Sequence, residues 1–362
     1  MRKNNTLDFI LASILWYTAS AYVRGGAAGA GRDDWLCLGA GLLLALPAIL
    51  TTAALSRSRP DKSLGETIRE TLAPVPAAVL SGFYILYGLC ILSFSLDAFS
   101  RYICICVLPE TPKAAAALVI GLAVYLTSRG GAEGIRRLSG LIFPAIALTL
   151  LAVIGLSVPS MTLSHLAPVG RQITGRAVLR AAVFPYAEPV ILLSLTPGCG
   201  RLKRRWWIIP FALSSALLIF ICVRNTAVLG GALADFFTFP TVQADSVVGY
   251  SAIGQRVEVF TTLIPASAGF VEAALAARFS LDAAEGIGKG KESLLLPVIP
   301  AVSFLICVFV LRSDAVSQAR DQVWPFVSLA SPLPVMYLLA RRRAKRSEKG
   351  KRFLRCLKKA MK

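Results

Sequence analysis

Apolar residues in this chain gather in long blocks instead of alternating with polar ones. The clearest are Trp35–Leu55, Val75–Leu96, Ala114–Leu126, Leu138–Val158, Trp206–Gly230, Leu294–Leu311 and Val323–Ala340. A helix needs about 20 residues to cross a bilayer, and these blocks approach or reach that length. Hydrocarbon leaves no backbone polar group unsatisfied, which restricts spanning structures to helices and closed barrels. Alternation with period two is absent and the runs are too long for barrel strands. The pattern therefore predicts an all-α polytopic membrane protein with ten spans, at about 6–24, 35–55, 75–107, 112–128, 134–158, 173–197, 206–231, 252–279, 292–312 and 321–341.

Composition agrees. Of 362 residues, 56% are hydrophobic and 16% charged, against roughly 25% charged in a soluble domain. The first 22 residues carry Arg2 and Lys3 before an apolar stretch, but no A-x-A cleavage site closes them, so they read as a retained first helix. Ser63–Thr71 reads as a short amphipathic helix with Ser63 as N-cap and Glu66 completing a capping box. Ala232–Gly254 mixes Phe236, Phe237 and Phe239 with Asp235, Asp245 and Pro240, and is expected to pack over the external face.

The net charge of +19 first suggests nucleic acid, but its placement points to lipid. Residues 341–362 hold 12 Lys and Arg, the expected cytoplasmic anchor on anionic headgroups. With both termini in the cytoplasm, inner segments carry 28 of the 39 basic residues; without the tail the balance is still 16 to 11. The expected organisation is one transmembrane domain over 1–340, with a basic cytoplasmic tail at 341–362.

Catalytic and metal signatures are lacking. The single histidine, His165, argues against His-based metal sites and catalytic triads. Gly25–Gly31 follows a helix where a dinucleotide-binding loop would follow a strand, and Gly286–Lys291 lacks phosphate-loop spacing. The eight cysteines sit mostly in apolar runs and read as small hydrophobes, Cys104 and Cys106 included. No enzyme activity, cofactor, metal or nucleic-acid partner is expected.

Breaks and charges inside the spans say more. The sixth span contains Phe184-Pro185-Tyr186-Ala187-Glu188-Pro189. Two prolines four apart remove two backbone donors and disfavour helix in the residues before them. A carboxylate at membrane depth costs about 3 kcal/mol and normally faces a cavity or a partner. Discontinuous helices build the midplane sites of transporters; a structural kink with Glu188 capping loose amides is the other reading. Asp97 and Arg101, four apart on one face, read first as an ion pair. Arg224, deep in the seventh span, and Arg256, Glu258 and Glu272 in the eighth fit a translocation path or inter-helix salt bridges equally well.

Taken in order, several stretches resemble the endospore germination permeases, the GerAB-type B subunits of germinant receptors in the amino acid–polyamine–organocation superfamily. They are Arg32-Asp33-Asp34-Trp35, Leu108-Pro109-Glu110-Thr111-Pro112, Arg129-Gly130-Gly131-Ala132-Glu133-Gly134-Ile135-Arg136-Arg137, Leu166-Ala167-Pro168-Val169, the sixth span through Glu188 to Leu195-Thr196-Pro197, and Arg256-Val257-Glu258. The resemblance implies a LeuT-like fold of two inverted five-helix repeats, about 6–158 and 173–341, with the first and sixth spans discontinuous. In the first span the family usually carries a Gly-x-Gly break followed by Leu-Pro; this chain reads Trp16-Tyr17-Thr18-Ala19-Ser20-Ala21-Tyr22-Val23.

The function this implies is a receptor subunit that binds a small nutrient germinant, an amino acid, and signals germination from the spore inner membrane. Its partners would be an A-type membrane subunit and a C-type lipoprotein. Candidate binding residues are Tyr17, Thr18, Ala19, Ser20, Phe184, Pro185, Tyr186, Ala187 and Glu188. Amides around Tyr186 and Ala187 would meet a ligand carboxylate. Glu188 would contact an amine, take a proton or pin the break. Asp97, Arg101, Arg224 and Glu258 are candidates for coupling or gating. The alternative is an ion-coupled amino acid transporter of the plasma membrane; a third is a structural subunit whose pocket Trp16 and Tyr17 close.

Overall fold

The computed structural model describes the chain except residues 1–4, 25–28, 184, 185, 187, 250–256, 289 and 343–362. The side chains at 20–24, 232, 235, 248–249, 257–261, 263, 314, 317, 318 and 321 are also outside the description. Among the described residues every regular element is helical.

In the first half, α1 (Asn5–Arg24) is followed by a 3-10 turn (Gly31–Asp33) that leads into α2 (Asp34–Ser58), then α3 (Leu64–Thr71), α4 (Pro74–Tyr102), α5 (Lys113–Arg129) and α6 (Gly131–Ser157). In the second half come α7 (Gly175–Val183), a 3-10 segment (Pro189–Leu195), α8 (Arg205–Leu229), α9 (Gly231–Phe236), α10 (Pro240–Gly249), α11 (Val257–Ala284), α12 (Lys291–Leu305) and α13 (Asp314–Ala330). Helix resumes over 332–342 after a turn at Ser331. Single π turns close α4 (Ile103–Val107) and α12 (Ile306–Val310).

Each expected span has a counterpart within a few residues. The capping box at α3 is present in both directions: the Glu66 amide donates to Ser63 Oγ at 3.1 Å and the Ser63 amide to Glu66 Oε2 at 3.3 Å. Six helical stretches are long and apolar enough to cross a membrane unaided. The other four spans are α1, α5, the broken pair α7 with 189–195, and α11. Two of these lie inside the bundle: residues 12–19 of α1 and 271–277 of α11 are buried, and a helix shielded from lipid is free to carry polar groups. α11 is the central post, packed on α1, α4, α5, α6 and α12. Its fully buried Ala273, Ala274, Ala276 and Ala277 let neighbouring backbones approach closely.

The first span departs from expectation. α1 is one continuous helix from Asn5 to Arg24, with neither glycine nor proline in it. Ser13 Oγ donates to the Phe9 carbonyl at 2.7 Å and Thr18 Oγ1 to the Ile14 carbonyl at 2.8 Å. These hydroxyls satisfy themselves within the helix without opening it. The sixth span does divide: α7 ends at Val183, and Pro189 opens a separate 3-10 segment. α7 is pressed against α2 at Gly41, where a Cβ would lie 2.6 Å from the backbone of Ala181 and Ala182.

Stretches far apart in sequence meet in pairs. Asp33 accepts from the amides of Gly170 and Gln172, both at 2.8 Å, and Arg32 donates to the Ala167 carbonyl. Arg136 Nη1 donates to the carbonyls of Leu195 and Pro197 at 2.6 and 2.7 Å.

Candidate functional site

Beside the break lies a cavity of about 470 Å³. α4 supplies Ile91, Phe94, Ser95, Asp97, Ala98 and Arg101; α7 supplies Arg180 and Val183. Glu188 enters from the break, Glu272 from α11, and Arg320, Trp324 and Pro325 from α13, while Phe237, Thr238 and Phe239 between α9 and α10 complete the wall.

Pro189 has no amide to donate, and Glu188 stands before it as N-cap without its side chain capping the segment. The carboxylate turns instead to α13, where Oε1 accepts from Trp324 Nε1 at 2.8 Å and Ser328 Oγ at 3.0 Å. Trp324 is fixed by stacking on Tyr87 (5.3 Å, 15°) and by the edge of Phe94 (4.8 Å, 90°).

A second carboxylate, on Asp97, is nearly buried and draws cations from three elements. Arg101 Nε lies 3.1 Å away and Arg320 Nη1 3.7 Å away, and Lys113 of α5 also pairs with it. The expected Asp97–Arg101 pair therefore exists inside a larger cluster that ties α4 to α5 and α13. Arg320 also lies over the Phe94 ring, 5.4 Å from its centre. The third carboxylate, Glu272, accepts from Ser95 Oγ at 2.7 Å. Among the lining residues, three arginines (101, 180, 320) face three carboxylates (97, 188, 272). A dipolar guest can find both signs of charge there. Among the described residues no three His, Cys, Asp or Glu side chains are grouped as a metal ion would require.

Of the sequence candidates, Glu188, Asp97, Arg101 and Glu272 share this cavity. Tyr17 is buried 5.5 Å from the Phe211 ring of α8; Thr18 and Ala19 are buried in α1, and none of the three lines the cavity. The Ser20 side chain, residues 184, 185 and 187, and the Glu258 side chain lie outside the description. Tyr186 is buried and packs on Phe211 at 5.4 Å. Arg224 pairs with Asp245 of α10, away from the cavity lining. Sequence reasoning did not single out Arg180, Arg320, Trp324 or Ser328. Arg320, Trp324 and Ser328 fall at four-residue spacing on one face of α13, a signal that gains meaning once Glu188 is opposite.

A second cavity of about 440 Å³ lies at the other end of the segment Pro189–Leu195, lined by Asn5, Asp61, Arg136, Pro197, Gly198 and acidic side chains that include Asp282 and Glu285. Burial pushes the Glu285 carboxyl above its ordinary value, with Glu292 adding to the rise against the Ser63 hydroxyl. Glu70, at the end of α3, is held below its ordinary value by the Lys62 hydrogen bond.

Solved structures share this architecture at low identity. A mutant of the Eremococcus coleocola manganese transporter superposes with TM-score 0.60 at 17% identity, covering 92% of this chain and 76% of that one. Mhp1, a nucleobase-cation-symport-1 family transporter in a closed conformation with bromovinylhydantoin bound, gives TM-score 0.61 at 14% identity over 92% and 77%. These likenesses establish the LeuT-like transporter fold. No curated protein matches the sequence. The spore germination protein model (Spore_permease) matches residues 9–316, so the chain belongs to that family and is a permease-like integral membrane protein.

Proposed function

We propose that this protein is the ligand-binding permease subunit of a germinant receptor and takes a small zwitterionic nutrient, an amino acid, into the first cavity. The observation that carries this is Glu188: a carboxylate beside a helix break that lines the first cavity and accepts from Trp324 and Ser328 of α13. In this reading the ligand ammonium meets Glu188 and Glu272, and its carboxylate meets Arg180 and Arg320. Phe94, Trp324 and Phe239 surround the apolar part. Tyr17 and its neighbours in α1 back the bundle and leave ligand contact to α4, α11 and α13. Both termini face the cytoplasm, the membrane is the spore inner membrane, and the repeats run about 6–158 and 173–341. An A-type membrane subunit and a C-type lipoprotein read the ligand-induced shift, and no catalysis is involved.

The shared fold with ion-coupled transporters keeps a second reading, amino acid transport across the plasma membrane. Binding of a radiolabelled amino acid panel to the protein in nanodiscs tests the first claim; no saturable binding by any member refutes it. Uptake into proteoliposomes separates the two readings. Binding without accumulation fits a sensor, and accumulation driven by a proton or sodium gradient fits a transporter.

A further inference from the structure

The first cavity is polarised along its length. On α4, Arg101 stands about 9 Å beyond Ser95 at the helical rise of 1.5 Å per residue, and Ser95 is the donor to Glu272. On α13, Arg320 stands one turn before Trp324, which holds Glu188. On α7, Arg180 stands about one turn before Val183, where the break begins. The three cations gather at one end. There Arg101 Nη2 donates to the Leu311 carbonyl at 3.0 Å, and Phe237, Thr238 and Phe239 form the wall. The side chains of Arg101 and Lys113 are 37% and 29% exposed, whereas Glu272 is 6% exposed. The mouth is therefore cationic and the depth acidic.

Charge at the mouth does not balance. Arg101, Lys113 and Arg320 all draw on Asp97, and half-buried Arg180 adds a fourth cation. Among the described residues no carboxylate pairs with Arg180. Arg176, one turn earlier on the same face of α7, is exposed, so two guanidiniums lead inward from the surface. Gly29, at φ +78°, passes close beside the inner one: a Cβ there would lie 3.3 Å from Arg180 Nη1, and glycine leaves the guanidinium its space. α1 offers no opened turn, Tyr186 packs on Phe211, and Pro189 has no amide. Asp97 engages the other two lining guanidiniums, which leaves Arg180 for a guest.

We propose that Arg180 anchors the guest's carboxylate at the cavity mouth and makes a free carboxylate the condition for entry, so that α-amino acids bind while their carboxamides and aliphatic diamines are rejected. The guest lies with its carboxylate outward and its ammonium toward Glu188 and Glu272. A guanidinium fork suits a carboxylate and can bind both of its oxygens. A guest that brings only positive charge meets like charge at the mouth, and this repulsion supplies the discrimination. The inference rests on the reading above in placing the guest in the first cavity.

Two measurements on the full chain in nanodiscs separate the inference from that reading. In the first, binding of a radiolabelled amino acid panel is competed with each amino acid, its carboxamide and putrescine. The carboxamide should compete roughly ten- to a hundredfold more weakly than the acid. Arg180→Gln should bring the two close to parity by weakening the acid, and Arg180→Lys should restore part of the preference. A preference that Arg180→Gln leaves unchanged overturns the anchor. The second measurement needs no nutrient. Thr238→Cys places a thiol on the exposed cavity wall, and mass spectrometry reads its rates with an anionic and a cationic methanethiosulfonate while the native cysteines are kept. Relative to a free thiol the anionic reagent should be favoured severalfold, and Arg180→Gln should cut that ratio; Ala98→Cys, on the α4 wall, repeats the measurement if the first variant does not fold. A ratio that Arg180→Gln does not move overturns the proposal. A ratio that responds to Arg180 when no amino acid binds refutes the nutrient reading and leaves the anion-selective mouth standing; saturable amino acid binding indifferent to Arg180 does the reverse.

Discussion

Arg224 of α8 and Asp245 of α10 form an ion pair with side chains 1% and 0% exposed, so removing one partner leaves a charge with no water to receive it. Such truncations cost about 3–5 kcal/mol. The pair is also imperfectly satisfied, because Arg224 Nε finds no acceptor among the described residues. Neighbouring contacts, Asn225 Nδ2 to Thr241 Oγ1 at 2.9 Å among them, hold α10 on α8 independently. Asp245→Asn or Arg224→Met alone should therefore lower the unfolding midpoint by on the order of 10 °C, taking about 2–4 °C per kcal/mol for a large chain. The double replacement Arg224→Met with Asp245→Leu should recover most of that loss or exceed the parent, as apolar substitutes for buried ion pairs often do. Thermal unfolding of the four proteins side by side in one detergent reads both effects. A loss below about 1 kcal/mol in either single variant would show that water reaches the pair. A double variant as unstable as the sum of the singles would show that packing, not charge, is what was lost.

Glu188→Gln should abolish amino acid binding while leaving membrane expression intact, and Trp324→Phe, which keeps the stack on Tyr87 but deletes the donor to Glu188, should weaken binding roughly tenfold or more; equal binding by both variants in nanodiscs would remove Glu188 from the site. Gly41→Ala places a Cβ 2.6 Å from the Ala181 backbone and should cost about 1–3 kcal/mol as overpacking, read as a lower unfolding midpoint; an unchanged midpoint would mean that α2 and α7 are not in contact. Glu285 is raised by burial, so the folded protein holds its proton more tightly than the unfolded chain. Its contribution falls as pH rises from the ordinary value near 4.5 through the folded one. Glu285→Gln should then gain over the parent as pH climbs through that window, and a constant gap in midpoint would contradict the shift. Glu70 runs the other way: held low by Lys62, it stabilises above its unfolded value and loses this as pH falls through the folded one, so Glu70→Gln should matter least in acid.

The features legible in sequence are those whose cause is local. A run of apolar residues must be a span, Ser63 and Glu66 at capping-box spacing must start a helix, and two prolines around a carboxylate must break one; all three are present in the structure. What could not be read is which distant side chain stands opposite. Nothing in the sixth span announces Trp324 and Ser328, 136 and 140 residues away, and nothing near Asp97 announces Arg320. The break expected in α1 failed for the complementary reason: it came from resemblance, while the residues themselves hold no glycine or proline to open the helix. Small side chains at Ala19 and Ser20 permit close packing, but alanine favours helix more than any other residue.

This asymmetry bears on how the site is built. With α1 closed and Tyr17 turned to Phe211, the polar groups of the cavity come chiefly from α4, α11 and α13 facing one broken span. α13 touches both poles of charge, Glu188 through Trp324 and Ser328 and Asp97 through Arg320. A guest that competes for Glu188 or screens Asp97 must therefore act on α13, and 332–342 carries the chain on to Arg342, which donates to Ser58 of α2 at 2.6 Å. The last span thus leads from the cavity to Arg342, whereas none of the described side chains of α1 lines the cavity. If a nutrient is bound in this cavity as proposed, substitutions at Trp324 or Ser328, which hold Glu188 from α13, should weaken its binding in nanodiscs more than any change at Tyr17.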